Sequence, residues 1–175
     1  MVGGRNPQKV PIMAQPTGYS RTQIRLHWAV VILVALQYLL HEGISDAYDI
    51  ATDTGTYAMS APVIGHAVGG ALILLLVCWR LILRQERGTP PPPDGEPAVF
   101  QKVSHLAHLA FYVLLFALPI SGAMAWGGQI EAAGEVHEVL RALLMILILA
   151  HVGAVIVHQV VWKTGLIKRM MKAED

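Results

Sequence analysis

Apolar residues fall in four long blocks along the chain, roughly Ile24–Leu40, Pro62–Leu83, His105–Trp126 and Val136–Trp162, with short polar stretches between them. A helix crosses the hydrocarbon core of a bilayer in about 20 residues, and each block is near or above that length. The pattern predicts an all-α protein, four membrane-spanning helices in one small bundle, with little chain left for a separate soluble domain. "SRTQ" at Ser20–Gln23 has capping-box spacing and predicts that the first span starts near Arg21. Residues 1–19, rich in Gly, Pro and polar groups, read as a disordered tail rather than a cleavable signal peptide, which leaves 20–172 as the bundle. "TPPPPDGEP" at Thr89–Pro97 predicts a stiff, extended linker between the second and third spans. Pro119 predicts a kink in the third span, its freed carbonyl tolerated inside a bundle. Gly165 and the basic "KRMMK" are expected to close the fourth span.

Composition supports the membrane assignment. Of the 175 residues 54% are hydrophobic and 14% charged, against about a quarter charged in soluble domains. The single cysteine, Cys78, lies in an apolar block, so an intramolecular disulfide or a cysteine-based metal centre is excluded. Trp28, Trp79, Trp126 and Trp162 stand near the block ends, where interfacial anchors belong.

Charge supplies an orientation. With four spans, 12 of the 13 Lys and Arg residues share one side: Arg5, Lys9, Arg21 and Arg25; Arg80, Arg84, Arg87 and Lys102; Lys163, Lys168, Arg169 and Lys172. The other two loops hold Glu42, Asp46, Asp49, Asp53, Glu131 and Glu135 with no Lys or Arg, and Arg141 alone lies inside the fourth span. The positive-inside rule then predicts that both termini are cytoplasmic.

The stretch "HEVLRALLMILILAH" places His137 and His151 14 residues apart in an otherwise apolar segment. That interval is close to four helical turns, roughly 21 Å of rise, so both rings leave nearly the same face at two depths. His158 follows two turns later on that face. Eight histidines, nearly all within or at the ends of spans, are unusual, because ionisable groups inside membranes are costly and tend to be functional. One chemistry that calls for such pairs is b-type haem, whose iron takes one imidazole on each axial face from facing helices. Two haems require an outer and an inner pair. For the outer partner of His137, His66 in "GHAVGG" is preferred to His41, because Gly65, Gly69 and Gly70 leave room for a flat macrocycle and His41 stands beside Glu42 at a helix end. For the inner partner of His151, spacing does not separate His27 from His105 or His108.

"YSRTQIRLHW", "IGHAVGGALILLLVCWRLILR", "SHLAHLAFYVLLFALPISG" and "VHEVL…LAHVGAVIVHQVVWK" resemble the four helices of the bacterial cytochrome b561 family over about Tyr19–Met171. The resemblance implies a four-helix, di-haem cytochrome of the bacterial inner membrane, similar in plan to the cytochrome b subunits of formate dehydrogenases and nickel–iron hydrogenases. It implies axial pairs His27–His151 and His66–His137; His105 and His108 are then expected near the haems, on their propionate side or at the membrane interface. It also implies a quinone, ubiquinone first, as electron acceptor. Quinone reduction consumes protons, and His158 near the cytoplasmic exit is the candidate donor.

The activity implied by the family is oxidation of superoxide at the outer face. The acidic outer loops do not favour an anion, which leaves Arg141 as the local positive charge that would steer it; its plainer role is pairing with Glu138 or another acid. Two other readings stand beside this one. The chain is then either an electron-transfer subunit that docks to a dehydrogenase or hydrogenase, or a haem-free transporter with a histidine proton relay. The partners expected are the lipid bilayer, a quinone, superoxide and, in the docking reading, a redox protein; no nucleic acid is expected.

Overall fold

The protein is seen here in a computed structural model, which describes residues 16–93 and 95–174. Six helices follow in order: α1 (Arg21–Leu39), α2 (His41–Thr54), α3 (Ala61–Arg87), α4 (Ala98–Trp126), α5 (Glu131–Val160) and α6 (Leu166–Arg169). No strand occurs among the described residues. Helices α1, α3, α4 and α5 are the four long apolar ones, so the chain is a membrane-spanning four-helix bundle.

The ends of these helices follow local chemistry. Ser20 Oγ accepts from the Gln23 N–H at 3.2 Å while Gln23 Oε1 accepts from the Ser20 N–H at 3.0 Å, the reciprocal pair that the "SRTQ" motif predicts. Pro62 sits in the first turn of α3, where its missing N–H costs nothing. Helix α4 starts at Ala98, well before the apolar block, and runs through Pro119 to Trp126. Helix α5 stops at Val160, short of Gly165; the Thr164 N–H turns back to the His158 carbonyl at 3.0 Å, and Gly165 takes a left-handed φ of 69° before α6.

The segment after α1 departs from the sequence expectation. An acidic loop was predicted there, whereas His41–Thr54 is helical. Its apolar Ile44, Tyr48 and Ala51 recur at helical spacing, and Ala51 is fully buried, while Asp46, Asp49 and Asp53 are exposed. Helix α2 packs on the start of α3, with Gly43 close against Pro62.

Both described chain ends meet at one end of the bundle. The Glu174 N–H donates to the Tyr19 carbonyl at 3.2 Å, Trp28 Nε1 to the Met170 carbonyl at 2.8 Å and Arg169 Nη1 to the Pro91 carbonyl in the linker at 2.8 Å. This is the near end; α2 and the α4–α5 turn form the far end. Residues 1–15 of the predicted tail, with Arg5 and Lys9, lie outside the described residues.

Halfway between the ends lies a dry layer of Val30, Val34, Ile73, Val77, Leu114 and Leu144. Leu144, 3% exposed, stands seven residues after His137 and seven before His151, on the same helical stripe. Outward-facing Ile32, Leu75, Ile146 and Leu149 are exposed, as lipid-facing residues are. Since lipid tails are as apolar as leucine, this layer holds by van der Waals packing rather than by expulsion from water. Helix α1 packs on α3, α3 on α4 and α4 on α5; Tyr38 closes the ring by donating its hydroxyl proton to the Arg141 carbonyl on α5 at 2.6 Å.

Candidate functional site

Above and below the dry layer the bundle gathers histidines. In the far layer His66 on α3 faces His137 on α5, ring centres 6.2 Å apart and planes at 66°. His137 is held from α4: its Nδ1 lies 2.9 Å from the Leu118 carbonyl oxygen and 3.1 Å from Ser121 Oγ. A carbonyl oxygen only accepts, so Nδ1 carries the proton and donates it, and Nε2 keeps a bare lone pair. Metal-bound histidines have this arrangement, the second nitrogen tethered to a carbonyl. Gly122 makes the approach possible, since a Cβ there would come within 3.2 Å of His137 Cε1.

His66 has the opposite character. No hydrogen bond to its ring is formed among the described residues, and its buried Nδ1 has no partner. Its carbonyl accepts from Gln37 Nε2 at 2.8 Å. Gln37 also fills the space over Gly69, where a Cβ would lie 2.7 Å from Nε2. Of the glycines of "GHAVGG", Gly65 faces open space and Gly69 lies close under the Gln37 side chain.

The near layer holds three histidines. The ring of His151 has His108 at 6.1 Å and Phe111 at 5.4 Å, both from α4. His27 on α1 lies within electrostatic reach of His151 and His108. His108 Nδ1 stands 2.6 Å from the Ser104 carbonyl oxygen and by the same reasoning is the protonated nitrogen. Spacing in the sequence does not separate His27 from His105 or His108 as the neighbour of His151; here His108 lies against His151 and His105 is exposed.

His158 is buried at 8% exposure. Its Nδ1 lies 3.1 Å from Thr164 Oγ1 and its Nε2 3.6 Å from Glu96 Oε1, a carboxylate itself almost fully buried. Sequence reasoning missed Glu96, which the proline-rich linker folds back onto the end of α5. Arg141 pairs loosely with Glu138 at 3.8 Å, both groups being solvent-accessible. His41 begins α2 rather than ending the first span. Burial and the Arg141 guanidinium lower its pKa from the ordinary histidine range, with Glu138 and Glu42 acting in the other sense.

An apolar four-helix bundle with facing imidazoles in two layers defines a membrane cytochrome of b type. The chain belongs to the prokaryotic cytochrome b561 family, whose sequence profile matches residues 18–173. It is 34% identical to cytochrome b562 of Cereibacter sphaeroides over 165 residues, 91% of this chain and 99% of the relative. It is 29% identical to cytochrome b561 homolog 1 of Escherichia coli, over 87% of this chain and 96% of the relative. A probable superoxide oxidase CybB of Yersinia pestis is 30% identical over 59% of this chain and 55% of its own length. Membership makes the protein an electron-transfer cytochrome of a bacterial membrane that binds haem b, which leaves the haem-free transporter reading without support.

The residues present fit that cofactor. Two imidazoles that each bring a nitrogen to about 2 Å from one metal ion have ring centres roughly 6 Å apart, as His66 and His137 do in the far layer; in the near layer the ring at that distance from His151 is that of His108. Among the described residues no three His, Cys, Asp or Glu side chains converge on one point. The far layer offers a pair, and a pair is what an iron already ringed by a porphyrin takes from a protein.

Proposed function

We propose that the protein passes electrons across the bacterial inner membrane between a far haem b held by His66 and His137 and a near haem b held by His27 and His151, oxidising superoxide and reducing ubiquinone. The observation that carries this reading is the far pair: facing rings at 6.2 Å, one tethered through Nδ1 so that Nε2 is bare. The near pair takes His27 rather than His108 from the family resemblance. When bound, the haems supply reversible one-electron chemistry; the chain supplies ligation, a dry interior and a path for protons.

The positive-inside rule puts the near end in the cytoplasm, because Arg80, Arg84, Arg87, Lys102, Lys163, Lys168, Arg169 and Lys172 flank that end. Two superoxide anions lose one electron each and leave as dioxygen; ubiquinone takes both electrons and two protons to become ubiquinol. Among the described residues at the far end, Arg141 is the one Lys or Arg side chain to draw in the anion. At the near end the protons require a titratable group, and the buried His158, backed by Glu96, meets that need.

Acidic α2 supports a second reading, in which the far end docks a basic redox protein and the chain acts only as its membrane electron carrier. A haem-to-protein ratio and rapid-mixing spectra decide between these readings. Two haems per chain, reduced by superoxide and reoxidised by ubiquinone, are the expected result. One haem per chain overturns the two-layer assignment. Haems untouched by superoxide but reduced by a co-purifying protein leave the carrier reading.

A further inference from the structure

We propose that Arg80 is the anion-holding residue of the near layer, its guanidinium taking a carboxylate of the cofactor bound there; this rests on the reading that the near layer holds a haem b. The position is set by register. Arg80 follows His66 by 14 residues on α3, the interval that separates His137 from His151 on α5. Helices α3 and α5 run in the same direction, and His66 faces His137. Equal intervals therefore bring Arg80 to the depth of His151, on nearly the face that His66 presents.

Among the described residues no opposite charge balances it. Nη1 comes only to 3.5 Å from the Gln23 carbonyl oxygen, a long contact that commits little. The Tyr112 hydroxyl is within hydrogen-bonding reach, and Tyr19 and Arg84 are within electrostatic reach. Burial raises the Tyr19 phenol above its ordinary range, although Arg84, Arg169 and Arg80 pull it down, so Tyr19 stays neutral at physiological pH. Among the described residues, no carboxylate forms an ion pair with Arg80. His27 and His108 both lie within its electrostatic reach.

A guanidinium does not shed its proton, and a charge in a membrane interior is costly unless it is partnered. Its five donors form a rigid fork that matches a carboxylate. Haem b carries two propionate side chains, which are carboxylates. Arg80 lies seven residues before the end of α3, roughly 10 Å of rise inside the bundle end. Its contacts are to α1 and α4 rather than outward to lipid, so a propionate fits better than a lipid phosphate.

The test is potentiometric titration of the purified holoprotein and its Arg80→Gln variant, in vesicles of zwitterionic phosphatidylcholine and again with anionic phosphatidylglycerol. Losing a nearby positive charge favours ferric over ferrous iron. The near haem of R80Q should therefore fall in potential by about tenfold in its reduction equilibrium, 59 mV for one electron, in both lipids, with the far haem unmoved. Arg80→Lys, which keeps the charge, should stay within about threefold of the wild type. A near-haem potential in R80Q within about twofold of wild type overturns the proposal, as does a shift seen only with the anionic lipid. If R80Q does not assemble, wild-type protein reconstituted with haem whose propionates are methylated carries the test. The near site should bind it about tenfold more weakly than haem b, and equal affinity overturns the proposal. A wild-type protein that holds no near haem defeats the underlying reading instead, and the optical titration distinguishes that outcome.

Discussion

The far and near layers place imidazoles at nearly the same separation, 6.2 and 6.1 Å, yet little else about them is alike. The far layer is one pair with a neutral shell: Leu118 and Ser121 hold His137, and Gln37 holds the backbone of His66. The near layer gathers His27, His108, His151 and Arg80, with His158 and Glu96 just beyond. Outside them the charge inverts, acids over the far layer and bases around the near one. A site that exchanges only electrons needs ligands and a dry wall. A site that couples electrons to protons also needs a titratable group beyond the ligands, and the near end buries His158 against Glu96.

The largest effect that tests this contrast is loss of a cofactor. His66→Ala or His137→Ala should halve the haem-to-protein ratio, removing the far component of the optical spectrum and sparing the near one. The crowded layer needs a finer cut, because His108 and His27 both reach His151. His27→Ala should remove the near haem, whereas His108→Ala should retain both haems with a shifted near spectrum. The opposite result, measured by pyridine haemochrome and redox titration, exchanges the two assignments.

The wall between the layers should fail by stability instead. Leu144→Ala opens a cavity in the buried apolar core of the bundle. It should cost about 2–5 kcal/mol, read as a lower thermal midpoint in detergent, while both haems remain. A variant that loses one haem but keeps its midpoint would show that Leu144 belongs to a site rather than to the wall.

Much of this was legible in the chain because the governing physics is local. Four spans follow from apolar length, the start of α1 from Ser20 and Gln23, and the two histidine depths from 14 residues of helix. What was not legible depends on which chain segments meet. Helix α2 hid behind its acids, since its apolar face is short and has its meaning only once α3 lies under it. Glu96 gave no signal inside a proline-rich linker, whose path over α5 is a tertiary fact. Gly122 and Ser121 looked like ordinary small residues of a membrane helix until His137 came against them. Arg80 was counted only among the bases that share one side, although its distance from His66 repeats the interval that singled out His151.

A proton route at the near end predicts a moderate, pH-dependent effect. Glu96→Gln keeps the shape of the linker contact but removes the carboxylate facing His158 Nε2. Reoxidation of the haems by ubiquinone should slow by about tenfold and change its pH profile, while reduction by superoxide at the far end is unaltered. An unchanged pH profile would assign Glu96 to holding the linker alone.

The smallest effect concerns the far surface, where the sign matters more than the size. Arg141 is half-buried and pairs loosely with the exposed Glu138 at 3.8 Å. Glu42, Asp46, Asp49, Asp53, Glu131 and Glu135 surround the same end. His41 does not offset them: burial and Arg141 hold its pKa below the ordinary histidine range, so it is neutral at pH 7. An approaching anion therefore meets net repulsion, which salt screens over a Debye length of about 10 Å at 0.1 M. Raising the ionic strength should speed haem reduction by superoxide. Arg141→Gln should slow it by about two- to threefold at low salt, and the difference should vanish at high salt because steering is what was lost. Both haems should stay bound, since Arg141 is not a ligand. A rate that falls with salt in the wild type would mean that Arg141 outweighs the acids, and a rate indifferent to both would place the electron donor among neutral molecules or docked proteins.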